Sequence, residues 1–281
     1  MDQQNQAQGY SIFHETMADM TFPELERAAE QGAVVLWALG VIEQHGPHLP
    51  LATDVYIPSA VLRLARAELA RRGISSVIAP AFYWGVNHVT GRFPGSFQVR
   101  PEVMIEVLKD AFQSFAKDGF KQVFCLSGHG DALHNRTIFT AVREGGAAAK
   151  IDVRMIASAA LAGRLGIDLA DPNLALSPST SSGPAPVHLD VHAGDWETSL
   201  LLSICPDTVR SELLPRLEPT KLGAAELAEW RKGLDVAKRV TPLGYFGDPA
   251  SAQATRGAEL LQREADAVAA AVANSIAGGK R

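Results

Sequence analysis

The chain has 281 residues, 47% of them hydrophobic, and its 31 acids against 26 lysines and arginines give a formal net charge of -5. That length can bury a large core and reads as one domain over 1–281. The acidic balance leaves no basic stripe, which excludes nucleic acid as an expected partner.

In chain order, a helix near Phe22 to Glu30 leads to the apolar run Ala33 to Leu39, which breaks at Gly40. Such a run ending on glycine predicts a buried strand that empties into a loop. The loop carries Glu43, His45 and His48, with Asp54 at its far end. In extended backbone, side chains two apart share a face, so Glu43 and His45 can reach one point while Gln44 turns away. Tyr56, Ile57, Ala60, Val61, Leu64 and Ala65 recur at helical spacing and predict a helix over 54–71. Asp54 falls in its first turn, where the helix dipole favours a carboxylate. This segment can offer three metal ligands; the ordinary alternative makes Asp54 a helix cap and the others solvated loop residues.

A strand over 75–79 precedes His88 and the turn Phe93-Pro94-Gly95-Ser96, which can line a pocket, and a helix follows over 101–117. A second strand-to-loop junction comes at 120–126, opening into Ser127-Gly128-His129-Gly130-Asp131 before a helix over 134–148. His129 follows a glycine, as expected where backbone turns tightly to aim a ligand inward. A strand around Ile151 to Ala157 precedes a long Pro/Ser-rich loop, 163–189, of a length suited to a lid or a subunit contact. The third cluster, Asp190 to Ser199, holds His192 and Glu197 around two small residues and opens a helix over 196–204. An alanine-rich helix from Ala250 to about Ala277 closes the chain, its small-residue face suited to core or oligomer packing.

Alternating strands and helices predict an α/β fold: three layers, α/β/α, around a mostly parallel central sheet, with ligands at the carboxyl ends of the strands. The two cysteines, Cys125 and Cys205, lie in apolar runs and read as reduced thiols. No stretch approaches the roughly 20 apolar residues of a membrane span, and the polar start lacks a secretion signal, so a cytoplasmic protein without membrane contact is expected.

Three clusters of histidine with carboxylate point to divalent metal. The mixed donors suit zinc, manganese or iron(II) without deciding among them, zinc being the expected ion, and no loop cluster contains the cysteines of a closed thiolate site. Two such ions roughly 3.5–4 Å apart can hold a hydroxide between them, lower its pKa towards about 7 and polarise a scissile carbonyl. A nucleotide-binding domain is the competing reading of glycine loops after strands. Neither loop has G-x-G-x-x-G or a phosphate-loop lysine, and the acids would repel phosphate.

From about residue 20 to about 262 the chain resembles the creatininase (creatinine amidohydrolase) family. The resemblance rests on the ungapped segment Gly40 to Asp54 and on Gly85-Val86-Asn87-His88 with Phe93-Pro94-Gly95-Ser96. It continues through Gly128-His129-Gly130, His192-Ala193-Gly194 with Glu197-Thr198-Ser199, and Gly244-Tyr245-Phe246-Gly247-Asp248-Pro249 with Ala254-Thr255 and Gly257. It implies a hydrolase with two divalent metal ions per chain that cuts a non-peptide C–N bond in a small cyclic amide or formamide, and a homo-oligomer, a hexamer. Carried over by position, Glu43 and His129 bind one metal, His45 the other, and Asp54 bridges both. Glu197 is favoured as the remaining ligand, with Asp131 kept as a candidate. His192 would donate a proton to the leaving nitrogen, work suited to an imidazole titrating near about 6.5. His48, His88, Ser96 and Gly130 are expected around the substrate, His48 from just behind the ligands.

Creatininases carry a Glu directly before the catalytic His, a Trp four residues before it and a Tyr after the metal-binding His, where this chain has Val191, His188 and Gly130. Creatinine itself is therefore not the expected substrate. Hydrolysis of a non-amide ring, a keto-inositol or lactone, and metal binding without turnover are the alternatives.

Overall fold

The computed structural model describes residues 11–180 and 187–278. Its helices are α1 (Phe22–Glu30), α2 (Thr53–Arg71), α3 (Pro101–Lys117), α4 (Ala132–Ala149), α5 (Ala159–Leu165), α6 (Asp195–Ile204), α7 (Ala224–Trp230), α8 (Leu234–Val240) and α9 (Ala254–Gly278). The strands are β1 (Val34–Leu39), β2 (Ser76–Phe82), β3 (Gln122–Ser127), β4 (Asp152–Ser158) and β5 (Leu174–Ser177).

They form a five-stranded sheet in the order β2-β1-β3-β4-β5, parallel at every pairing. β1 is buried at every position because helices cover both faces of the sheet, which is why its sequence is apolar throughout rather than alternating. Its side chains still alternate between faces. Val34, Leu36 and Ala38 pack with Leu62 and Ala65 of α2, Leu200 and Leu201 of α6, and Val268 and Val272 of α9. Val35, Trp37 and Leu39 pack on the other side with Met104, Leu108 and Phe112 of α3 and Ile138 and Val142 of α4. The expected three layers are present. The alanine-rich face of α9 is core, with Ala265, Ala269 and Ala271 buried in the first of these clusters.

Several boundaries differ from expectation. β2 continues to Phe82 through Pro80, which has no N–H for a ladder, and the register slips there: Trp37 pairs with Ala79 but Leu39 with Phe82. The indole N–H of Trp37 donates to the Pro80 carbonyl at 2.8 Å. The loop expected over 163–189 contains the end of α5 and the edge strand β5, only four residues between Pro172 and Pro178, too short for a periodic signal. Residues 181–186 of that loop lie outside the described residues. The last helix starts at Ala254 after a 3₁₀ turn at Pro249–Ser251. Both cysteines are free thiols, and among the described residues no helix is long and apolar enough to cross a membrane.

Candidate metal centre

The loops after β1 and β3 and the first turns of α2 and α6 converge at the carboxyl ends of the central strands, where an open parallel sheet places its ligands. The loop after β1 supplies Glu43 and His45. The first turn of α2 supplies Asp54. His129 comes from the loop after β3, its carbonyl held by the Asn135 amide of α4 at 2.7 Å. His192 and Glu197 flank the start of α6. Between them Ala193 takes a left-handed conformation, φ 48°, which folds the chain so that its own N–H donates to Glu197 Oε2 at 2.5 Å. The backbone of His192 is pinned by a bridge to Phe246, whose N–H donates to the His192 carbonyl at 2.7 Å. That bridge gives the Gly244 to Gly247 motif its place in the fold.

Donor atoms of Glu43, Asp54 and His129 lie within 4.8 Å of one another, and so do those of His45, Asp54 and Glu197. Asp54 belongs to both groups. Its Oδ1 is 3.2 Å from His45 Nε2 and its Oδ2 is 2.9 Å from His129 Nδ1. Glu43 Oε1 is 3.2 Å from His129 Nδ1, and Glu197 Oε2 is 3.8 Å from His45 Nε2. His45 Nδ1 faces the Glu43 carbonyl at 3.1 Å, so a proton there leaves the Nε2 lone pair directed at the acids. Buried Nε2 of His45 and Oδ2 of Asp54 have no well-formed hydrogen bond. Unpartnered buried donors of this hard and borderline type fit divalent cations such as zinc or manganese.

Three carboxylates in a dry site need compensating positive charge. Burial opposes the charged form of His45, but Asp54, Glu197 and Glu43 outweigh it and raise its pKa to about 10. At His129, burial is likewise overcome, by Glu43 and Asp54, and the pKa stands well above the usual value. Asp54 is the mirror image: burial would raise it, yet the two imidazoles hold it far below the carboxylate range. Glu197 is pushed up to about 7 by burial, with the Asp54 charge adding to it against His45. In the absence of a cation, protons on the imidazoles neutralise the acids.

His192 stands beside this cluster. Its ring is 4.4 Å from that of His45, and its Nδ1 is 3.7 Å from Glu43 Oε1. Donor atoms of Glu43, His45 and His192 also lie within 4.8 Å of one another, so His192 is near enough to be a ligand. Its Nε2 is 2.9 Å from the Gln44 carbonyl and 3.1 Å from the Gln44 side-chain amide. Gln44 thus turns away from the ligand face, as expected, but lands on His192. Burial and then the His45 charge lower the His192 pKa to about 4, below the ordinary value assumed from sequence. Its ring is neutral at pH 7.

The remaining expected site residues divide. Asp131 caps α4, its Oδ1 accepting from Leu133 N–H and its Oδ2 from the N–H groups of His88 and Val89; it lies outside the ligand groups. His48 is fully buried and hydrogen-bonded to Thr198 at 2.9 Å, and Ser96 accepts from Gln44 N–H at 3.1 Å. Neither is among the residues lining the cavity beside the cluster: Ser96 steadies the loop after β1, and His48 ties that loop to α6. His88 and Gly130 do line that cavity, of about 350 Å³, together with Val191 and Trp230.

Two supporting residues escape sequence reasoning. Thr90 donates to Glu43 Oε2 across 47 residues of chain. Trp230, at the end of a seven-residue helix with no local motif, packs its ring 5.7 Å from His192 and anchors its N–H on Thr241. Trp230 thereby brings an aromatic ring into the lining of the same cavity.

The profile of the family described as Creatininase, creatinine amidohydrolase, matches residues 18–272. The chain belongs to the creatininase family. It is 31% identical over 232 residues to a mycofactocin precursor peptide peptidase of Mycolicibacterium smegmatis, covering 81% of this chain and 79% of that protein. A crystal structure of creatinine amidohydrolase (creatininase) superposes with a TM-score of 0.68 at 21% identity, over 92% of this chain and 97% of the other. Another, described as Creatininase Mn, does so at 0.66 and 21%, over 92% and 97%. Family and fold agree with the resemblance carried by the sequence motifs, and the protein is a creatininase-family hydrolase.

Proposed function

We propose that this chain is a dinuclear metal-dependent amidohydrolase whose substrate enters the cavity beside His129 and His192. The observation that carries it is the pair of ligand groups sharing Asp54, with buried His45 Nε2 and Asp54 Oδ2 left without hydrogen bonds. Glu43, His129 and Asp54 would hold one cation, and His45, Glu197 and Asp54 the second. Such ions, when bound, supply a water nucleophile at neutral pH and polarise the scissile carbonyl. His192, neutral with Nδ1 open to the cluster, accepts a proton at that atom and returns it to the leaving nitrogen. Gln44 holds the ring in that orientation through Nε2. Thr90 fixes the Glu43 carboxylate, and Trp230 closes one wall against water.

The restriction to non-peptide bonds has no support beside a peptidase relative at 31% identity. A peptide terminus is the second reading, and that relative favours it. Elemental analysis of the purified protein should return about two divalent ions per chain. A hydrolysis screen of cyclic amides, formamides, lactones and short peptides should then show turnover that a chelator abolishes. Turnover unaffected by chelation, or metal bound tightly with no turnover on any of these compounds, would overturn the reading.

A further inference from the structure

The cavity beside the cluster is electrically polarised. Glu43, Asp54 and Glu197 line it from inside the protein, whereas Arg136 of α4, Arg164 of α5 and Arg231 just past α7 line it from the exposed side. Three separate elements deliver these arginines to one opening. Arg164 Nη2 donates to the Gly130 carbonyl at 3.3 Å, which seats its guanidinium next to the residue that follows His129. At Gly130 itself an added Cβ would meet nothing within 4 Å, so the backbone beside Arg164 borders open space.

Among the described residues none of the three guanidiniums is ion-paired with a carboxylate. The acid whose charge acts on Arg164 is Asp131, and both its oxygens already accept backbone N–H groups. Burial, and then the adjacent Arg231 charge, lower the Arg164 pKa against the opposing charge of Asp131, so two like charges act on each other at this opening. Planar guanidiniums that line one opening suit the oxygens of a carboxylate or phosphate, which they bind through paired N–H donors.

We infer that Arg164 and Arg231, with Arg136, form a subsite for an oxyanion carried by the substrate, a carboxylate or a phosphate. The anion is held at the cavity opening, so the scissile amide points inward to Glu43, His129 and His192. The subsite rests on the amidohydrolase reading of this cavity only for the orientation of the substrate; anion binding itself does not require turnover. A neutral cyclic amide such as creatinine leaves these charges unmatched, in keeping with the departures at Val191 and Gly130.

The test measures binding of N-acetylglycine, N-acetylglycinamide and inorganic phosphate by calorimetry at low ionic strength. It is run on metal-loaded and chelator-treated protein, on the unaltered chain, on R136Q and on the double variant R164Q/R231Q, with metal content determined throughout. N-acetylglycine should bind about tenfold tighter than its amide, the usual worth of a charge-assisted hydrogen bond. In the double variant the two should bind about equally while metal content stays unchanged, and R136Q should narrow the gap in part. Phosphate binding tighter than N-acetylglycine, with the same arginine dependence, assigns the subsite to a phosphate; the reverse order assigns it to a carboxylate. Equal binding of acid and amide by the unaltered protein would overturn the inference. So would a preference that survives in R164Q/R231Q and vanishes on chelation, since the anion would then sit on the metals. An arginine-dependent preference in a protein that holds no metal as purified would leave the subsite standing and sink the amidohydrolase reading instead.

Discussion

The backbone carbonyl of Asp54 occupies the space a side chain on Gly128 would need: a Cβ built there lies 2.1 Å from it. The same carbonyl is 2.2 Å from a Cβ built on Gly40, and Pro58, four residues along α2, has no N–H to offer it. The start of α2 is therefore wedged between the ends of β1 and β3, and this close approach delivers Asp54 to both ligand groups. Gly128→Ala should displace α2 or the His129 loop. We expect a loss of stability of about 1–3 kcal/mol, the usual cost of overpacking, with metal content reduced, measured by urea unfolding and elemental analysis. Unchanged stability and metal content would show that the approach is not needed.

Asp54 and Asp131 offer a direct comparison. Asp54→Ala should abolish binding of both ions, because it removes the donor common to both groups. Asp131→Ala should leave metal content intact and cost about 0.5–2 kcal/mol of stability, the value of a helix N-cap. Metal loss from the Asp131 variant without destabilisation would return that residue to the ligand set.

His192→Asn separates proton transfer from metal binding. Metal content should persist while kcat falls by roughly 10²–10⁴, measured on whichever substrate the screen identifies. Loss of metal would make His192 a ligand, a role its distance to Glu43 and His45 permits.

Thr90→Val removes the hydroxyl that steadies Glu43 Oε2 and keeps the shape of the side chain. Metal affinity should drop by about 10–100-fold, the usual effect of losing a hydrogen bond to a ligating group. Titration with a competing chelator reads the change, and an unaltered affinity would remove Thr90 from the centre.

Cation uptake should be coupled to proton release. In the metal-free protein His45 keeps its proton up to about pH 10 and His129 is also raised, so at pH 7 the lone pairs a cation needs are occupied. Affinity should therefore rise with pH through the neutral range and weaken as pH falls. Calorimetric titrations in two buffers of different ionisation enthalpy should show protons leaving as metal binds; identical heats in both would contradict the protonation described for the site.

Much of this protein is local in its chain. The apolar run Val34–Leu39, the glycine breaks at Gly40 and Gly128, and the helical spacing after Asp54 each encode an element within about ten residues. The parallel sheet and the clustering of Glu43, His45, Asp54, His129, His192 and Glu197 at its carboxyl ends follow from them. What sequence left open depended on contacts across long stretches of chain. Glu197 and Asp131 are equivalent acids near a histidine and a glycine. Only packing sets one against His45, while the other is consumed by the backbone N–H groups of α4 and of His88 and Val89. Gln44, Thr90 and Trp230 carry no local signature, because their partners His192, Glu43 and Thr241 lie on other loops or helices. The cavity's charge asymmetry is of the same kind: Arg136, Arg164 and Arg231 are unremarkable in their own segments, and they line one opening only because the start of α4 and the ends of α5 and α7 lie around it.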